Sequence, residues 1–172
     1  MVHSIELVFD RDSEAAIRRI WESLAAAGIP SQAPASRPHV TLAVAEGIAP
    51  DVDAPLQPLA RRLPMQCTVG AALLFGRANV VLARLVVPTA ELLAVHSEAY
   101  RLCHPHMVPE PMPNCLPAQW TPHVTMARRV GGGQLGRALR IVGRPAQIEG
   151  SFTALRRWDG NKRVEHLLSA EE

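Results

Sequence analysis

The sequence predicts an α+β fold of two similar lobes, each a small and mostly antiparallel sheet with helices packed outside, facing each other across a cleft. Three observations predict it. The ten residues from Pro38 to Gly47 return from Pro122 to Gly131, and the two copies agree at Pro, His, Val, Thr, Ala and Gly. The strands and helices around the copies recur in a matching order. An apolar content of 48% over 172 residues is enough for one core without disulfide or metal staples. The chain therefore reads as a single domain, residues 1–172, of two intertwined lobes that each contribute one His-x-Thr segment.

Taken in order, residues 3–9 alternate, with His3, Ile5, Leu7 and Phe9 on one side and Ser4, Glu6 and Val8 on the other, the period of a strand with one buried side. Asp10 to Ser13 supplies N-cap candidates, and Ala16, Ile17, Ile20, Trp21, Leu24 and Ala27 recur at helical spacing until Gly28 ends the run. A Pro-containing loop from Ile29 leads to Pro38, which biases Arg37 towards extended geometry, so the first motif opens a strand. Between Pro50 and Pro64, Leu56, Leu59, Ala60 and Leu63 have helical spacing, but Pro55 and Pro58 limit the helix to a short one.

Met65 to Phe75 and Asn79 to Val87 are apolar runs flanking Gly76, Arg77 and Ala78, a hairpin pattern. Pro88 and Thr89 open a helix through Leu92, Leu93, His96, Ala99, Tyr100 and Cys103. From His104 to Pro122 frequent prolines and a lack of periodicity predict a long loop that delivers the second motif strand. Gly131, Gly132 and Gly133 read as a turn into a short helix over Leu135, Ala138, Leu139 and Val142. Ala146 to Trp158 and Arg163 to Leu168 close the fold as a strand pair, followed by a short acidic tail.

Charge and cysteine content bound the environment. Eighteen basic against sixteen acidic residues leave a net +2, too mild for coating long nucleic acid by charge alone, so any nucleic-acid contact is expected to be local. All the basic residues except Lys162 are arginine, a bias we read as genomic. Cys67, Cys103 and Cys115 are odd in number and lack framework spacing, and no segment has the run of about 18 apolar residues that a membrane span needs. The N-terminus resembles neither a signal peptide nor an anchor. A soluble, reducing, cytoplasmic, monomeric protein is expected.

The doubled motif carries the chemistry. On a strand, side chains two apart share a face, so His39 points with Thr41 and His123 with Thr125, while Val40, Leu42, Val124 and Met126 enter the core. His39 and His123 are 123 − 39 = 84 residues apart, and a pseudo-two-fold relation would bring them to one cleft as two groups that titrate near neutral pH. A phosphodiester needs that pair, one group to take a proton from the attacking oxygen and one to give a proton to the departing oxygen, with neutral donors holding the other oxygens.

These paired Pro-His-Val-Thr segments, their separation and the two-lobed order resemble the 2H phosphoesterase superfamily, in particular its LigT-like or 2′-5′ RNA ligase branch. The resemblance implies a bilobal fold with internal pseudo-symmetry and a metal-independent, cofactor-free site that acts on 2′,3′-cyclic or related 2′-linked phosphates of RNA ends or small nucleotides. His39 and His123 match the catalytic pair, and Thr41 and Thr125 the phosphate-holding hydroxyls. An arginine close behind the second motif occurs in parts of the family, and Arg128 stands there as a phosphate contact. Strand parity turns Arg128 to the opposite face unless a bulge intervenes. Which imidazole is the base stays open, because the motifs are nearly interchangeable. Two alternatives stay open as well: a module that binds RNA ends or nucleotides without turnover, and a ligase that reversibly joins RNA ends through 2′-5′ linkages.

Other features are read as structural. Cys103, His104, His106 and Cys115 fit no common zinc spacing, so no metal is assigned. The triple glycine lacks the Gly-Lys-Ser/Thr of a P-loop. Trp120, Tyr100, Phe75 and Trp158 are the surfaces on which a base could stack, but at 4% aromatic content an extended base-reading platform is not expected.

Overall fold

Asp10 joins the first two elements of the computed structural model, which describes residues 2–32 and 35–168; the expected acidic tail lies outside them. Strand β1 (His3–Phe9) ends at Asp10, whose carboxylate accepts the backbone N–H of Asp12 at 3.0 Å and of Ser13 at 2.9 Å and so caps α1 (Arg11–Ala26). Ile17, Ile20, Trp21 and Leu24 form the buried stripe of α1, and Gly28, at a φ of +70°, closes it. The expectation of one buried side in β1 does not hold, since every residue from Ser4 to Phe9 is buried. The reason is position: β1 lies inside the sheet, and its polar residue Glu6 is neutralised by an arginine of the neighbouring strand.

The first motif forms β2 (His39–Ile48). The Pro50–Pro64 stretch contains α2 (Asp53–Ala60), with Pro58 inside, and β3 (Met65–Phe75) and β4 (Val80–Val86) make the expected hairpin, with Gly76 at a φ of +90° in the turn. Thr89 caps α3 (Ala90–Cys103) by accepting the Leu92 N–H at 3.1 Å. The segment expected to be a plain loop contains a strand, β5 (Met107–Pro111), which pairs with β2 at the end of the sheet. Pro109 and Pro111 are tolerated there because an edge strand has one side without ladder bonds. The second motif forms β6 (His123–Val130), followed by α4 (Gly132–Val142), β7 (Ile148–Asp159) and β8 (Val164–Leu168). Of the three glycines expected in a turn, Gly131 is the cap and the other two begin the helix.

All eight strands belong to one antiparallel sheet ordered β5-β2-β1-β7-β3-β4-β6, with β8 also on β7. Strand β7 is shared: residues 148–152 pair with β3, and the rest pairs with β1 and β8. Around it the order strand, helix, motif strand, helix, strand occurs twice, as β1-α1-β2-α2-β3 and as β4-α3-β6-α4-β7 with β5 inserted between α3 and β6. The helices exchange places. Helix α1 follows β1 but packs on β6, β7 and α4, while α3 follows β4 but packs on β2 and α2. This exchange interlocks the lobes, and the sheet curls until the two motif strands touch. Among the described residues no helix is long and apolar enough to cross a membrane.

Candidate active site

Both motif histidines stand at the first position of their strands and are oriented by the same device. The Nδ1 of His39 lies 2.8 Å from the Arg37 carbonyl, and that of His123 lies 2.7 Å from the Thr121 carbonyl, each two residues back across a proline. A carbonyl only accepts, so Nδ1 carries hydrogen and donates, which leaves Nε2 as the working nitrogen on each ring.

The motif carbonyls are held alike too. Trp21 of α1 donates its indole N–H to the Thr125 carbonyl at 3.1 Å, and Trp120 donates to the Thr41 carbonyl at 2.9 Å. Trp120 in turn stacks flat on buried His96, with ring centroids 3.9 Å apart, and His96 Nε2 bonds the Cys115 carbonyl at 3.0 Å. Trp120 is thus a structural clamp on the first motif and not a free platform for a base.

Strand register explains which side chains reach the cleft. Ile5 pairs with Ala43 but Glu6 pairs with Thr41, so β2 carries a bulge at Leu42; Leu82 pairs with Ala127 but Ala83 with Thr125, so β6 carries the same bulge at Met126. Each bulge sends two successive side chains into the core, Leu42 with Ala43 and Met126 with Ala127, all fully buried. The alanine shared by the two motif copies is the small residue this doubled burial requires. Past the bulge the parity is reversed, so Val44 and Arg128 return to the face that carries the histidines and threonines. The parity objection to Arg128 therefore fails: Arg128 lines a small cavity of about 40 Å³ together with His39, Thr125, Trp21 and Arg37. The next residue, Arg129, has a φ of +57° and sits where the register of β4 with β6 shifts once more.

His39, Thr125 and Arg128 thus meet around one cavity. His123 does not line it but is close enough to feel His39 and Arg128 electrostatically. Its imidazole is held below the ordinary histidine value, first by burial, then by the charges of His39 and Arg128, against the raising effect of the Thr121 carbonyl. Thr41 shares the face of His39, and neither threonine hydroxyl bonds to a protein group among the described residues.

The two halves differ in what stands behind each imidazole. Beside His39 is a buried ion pair: Arg156 of β7 donates from Nε to Glu6 at 2.7 Å and also through Nη2, and reaches Glu165 at 3.0 Å. Glu6 Oε1 lies 3.5 Å from His39 Nε2 and accepts the Ser4 hydroxyl at 2.5 Å, while Arg156 Nη2 lies 3.3 Å from His39 Nδ1. Beside His123 the wall is apolar, with the Phe75 ring 4.7 Å away. The motifs alone do not point to Glu6 or Arg156. Their signal is a charge inside an otherwise apolar strand, visible in Ile5-Glu6-Leu7-Val8 and in Leu155-Arg156.

The remaining ligand-type side chains disperse. Cys103 and Cys115 are buried, and burial pushes their thiols up to about 12 and about 11; His106 bonds Asp51 at 2.9 Å, and His104 lies against Tyr100. Trp158 lies under the Arg156 guanidinium. Among the described residues no three His, Cys, Asp or Glu side chains converge on a point that could hold a metal.

Residues 9–162 match the family described as the 2′-5′ RNA ligase superfamily. No curated protein sequence matches the chain. Solved structures similar to it include a Thermus thermophilus protein (TM-score 0.60, 14% identity, 98% of this chain and 96% of that one) and E. coli LigT complexed with 3′-AMP (0.56, 13%, 96% and 91%). Kluyveromyces marxianus Usb1 with uridine monophosphate is similar at TM-score 0.53 and 11% identity, over 98% of both chains. Identities this low establish a shared fold.

Proposed function

The chain belongs to the 2′-5′ RNA ligase superfamily, and from that membership and its paired imidazoles we propose that it is a phosphodiesterase opening 2′,3′-cyclic or related 2′-linked phosphates on RNA ends or small nucleotides, without a metal. The observation that carries this reading is the matched presentation of two histidines on touching strands, each with Nδ1 engaged by a carbonyl. Nucleotides bound to LigT and Usb1 support a ligand of that kind.

The two environments suggest the division of labour. Burial, His39 and Arg128 lower the proton affinity of His123, so we assign His123 as the base and its partner His39 as the acid. His123 Nε2 then accepts a proton from water as the water oxygen bonds to phosphorus. The bond from phosphorus to one ring oxygen breaks, and His39 gives its Nε2 proton to that oxygen. Exchange with solvent restores both. Thr41, Thr125 and Arg128 hold the non-bridging oxygens, where negative charge grows. General acid–base catalysis of this kind contributes about 10²–10⁴-fold.

Phosphorus NMR of 2′,3′-cyclic mononucleotides and cyclic-phosphate RNA, with chelator present, tests the reading: a phosphomonoester resonance should appear and report which oxygen left. Undiminished turnover in the His39→Ala/His123→Ala variant would sink it. Binding without any product supports the non-catalytic module instead, and joined product with a 5′-hydroxyl RNA supports the ligase direction.

A further inference from the structure

A cluster of arginines lies on another flank of α1. Between α1 and α4 lies a groove of about 750 Å³ whose rim carries Arg19 of α1, Arg137 and Arg140 of α4, and Arg144 just beyond its end. All four are exposed, none of the residues lining the groove is acidic, and among the described residues no carboxylate pairs with any of them. Four unpaired guanidiniums on one groove are a local concentration of charge in a chain whose net charge is only +2. Exposed to solvent, they are placed to attract an anion.

The spacing specifies the kind of anion. Arg137 and Arg140 are three apart on one face of α4, Arg144 follows just beyond the helix's end, and Arg19 stands on the α1 side of the groove. Arginines on both sides of an open groove of about 750 Å³ suit successive phosphates of an extended strand better than a single compact phosphate. The floor between the arginines is apolar, with Ile20 and Ile141, a surface for riboses and base edges. Helix α1 is also the wall shared with the catalytic cavity: Ile20 faces the groove and the next residue, Trp21, faces the cavity with His39.

We propose that the α1–α4 groove binds the phosphodiester backbone of single-stranded RNA and holds the body of a strand whose end enters the cleft. The entry into the cleft rests on the function proposed above; the binding does not. The test is fluorescence anisotropy with a short single-stranded RNA bearing an unreactive 3′-hydroxyl, titrated over a range of salt. Arg137→Gln/Arg140→Gln should weaken binding about tenfold and flatten the salt dependence by about 1.4 log units per log unit, from a slope of about −0.7 per phosphate contact on a single strand. Arg137→Lys/Arg140→Lys, with the charge kept, should recover most of the affinity. An unchanged affinity and salt slope in the glutamine variant overturns the inference, whether or not cyclic phosphates are hydrolysed. Equal competition by a polyglutamate peptide or by anionic vesicles overturns it too, because the groove would then be a general polyanion surface.

Discussion

The carboxylate of Glu6 stands 3.5 Å from Nε2 of His39, while the matching register position in the second lobe, opposite Thr125, is held by Ala83. Pseudo-symmetry is therefore broken by charge at this register position. Glu6→Gln removes the charge and keeps the shape. It should lower kcat about tenfold, roughly 1.4 kcal/mol of transition-state stabilisation, with a smaller effect on KM. Glu165 still pairs with Arg156 in the variant, so thermal unfolding should show the protein folded. An unchanged kcat would remove Glu6 from the proposed mechanism.

If His123 is the base, as proposed, the acid limb of the pH–rate profile belongs to it. Its proton affinity is lowered by burial, by His39 and by Arg128, and a base works only when unprotonated, so activity should persist below the ordinary imidazole value of about 6.5 and fall as pH drops through the lowered one. Arg128→Gln removes one lowering influence and one phosphate contact. The acid limb should shift to higher pH and KM should rise. A rise in KM with a fixed acid limb would mean that Arg128 only binds.

Much of this site could be read from residues alone, and what could not depends on neighbours across the sheet. Period-two alternation correctly sent His and Thr to one face and Val to the core. It failed at Arg128 because a bulge is a property of register, and Leu82 and Ala83 fix that register from forty residues away. Strand β5 was hidden because prolines argue against strands in general but not at an edge. Glu6 read as a solvent-facing residue until β7 brought Arg156 against it, a separation of 150 residues. The exchange of α1 and α3 between lobes has no local signature, since it is decided by which apolar stripe fits which sheet face.

Arg84 of β4 gives a stability prediction. Its side chain is 1% exposed and its guanidinium bonds five carbonyls, those of Val142 and Ala146 at 2.7 Å, Pro145 at 3.0 Å, Val69 at 3.3 Å, and Gly70. No carboxylate is among these partners, and burial lowers its proton affinity. It substitutes for backbone pairing where α4 runs into β7. Arg84→Leu leaves those acceptors buried and unmet, each at about 1–3 kcal/mol, so urea unfolding should show a loss of at least about 3 kcal/mol. A loss below about 1 kcal/mol would show that water enters and replaces the guanidinium.

The start of α1 should be sensitive to a single methyl group. Asp10 Oδ2 accepts the Ser151 N–H at 2.6 Å and the Ser13 hydroxyl at 2.9 Å, tying the helix to the strand that both lobes share. A Cβ on Gly150 would lie 1.8 Å from Ser13 Oγ and 2.6 Å from Asp10 Oδ2, so Gly150→Ala cannot fit without breaking that latch. Overpacking costs about 1–3 kcal/mol and a lost cap about 1 kcal/mol more. The effect should reach the site, because α1 carries Trp21 and Trp21 holds the Thr125 carbonyl; kcat should fall along with stability. Ser13→Gly removes the atoms at 1.8 Å and at 3.1 Å, so the double variant should lose less than the sum of the two single losses. Strict additivity would place the damage in the Gly150 backbone and not in the contact with Ser13.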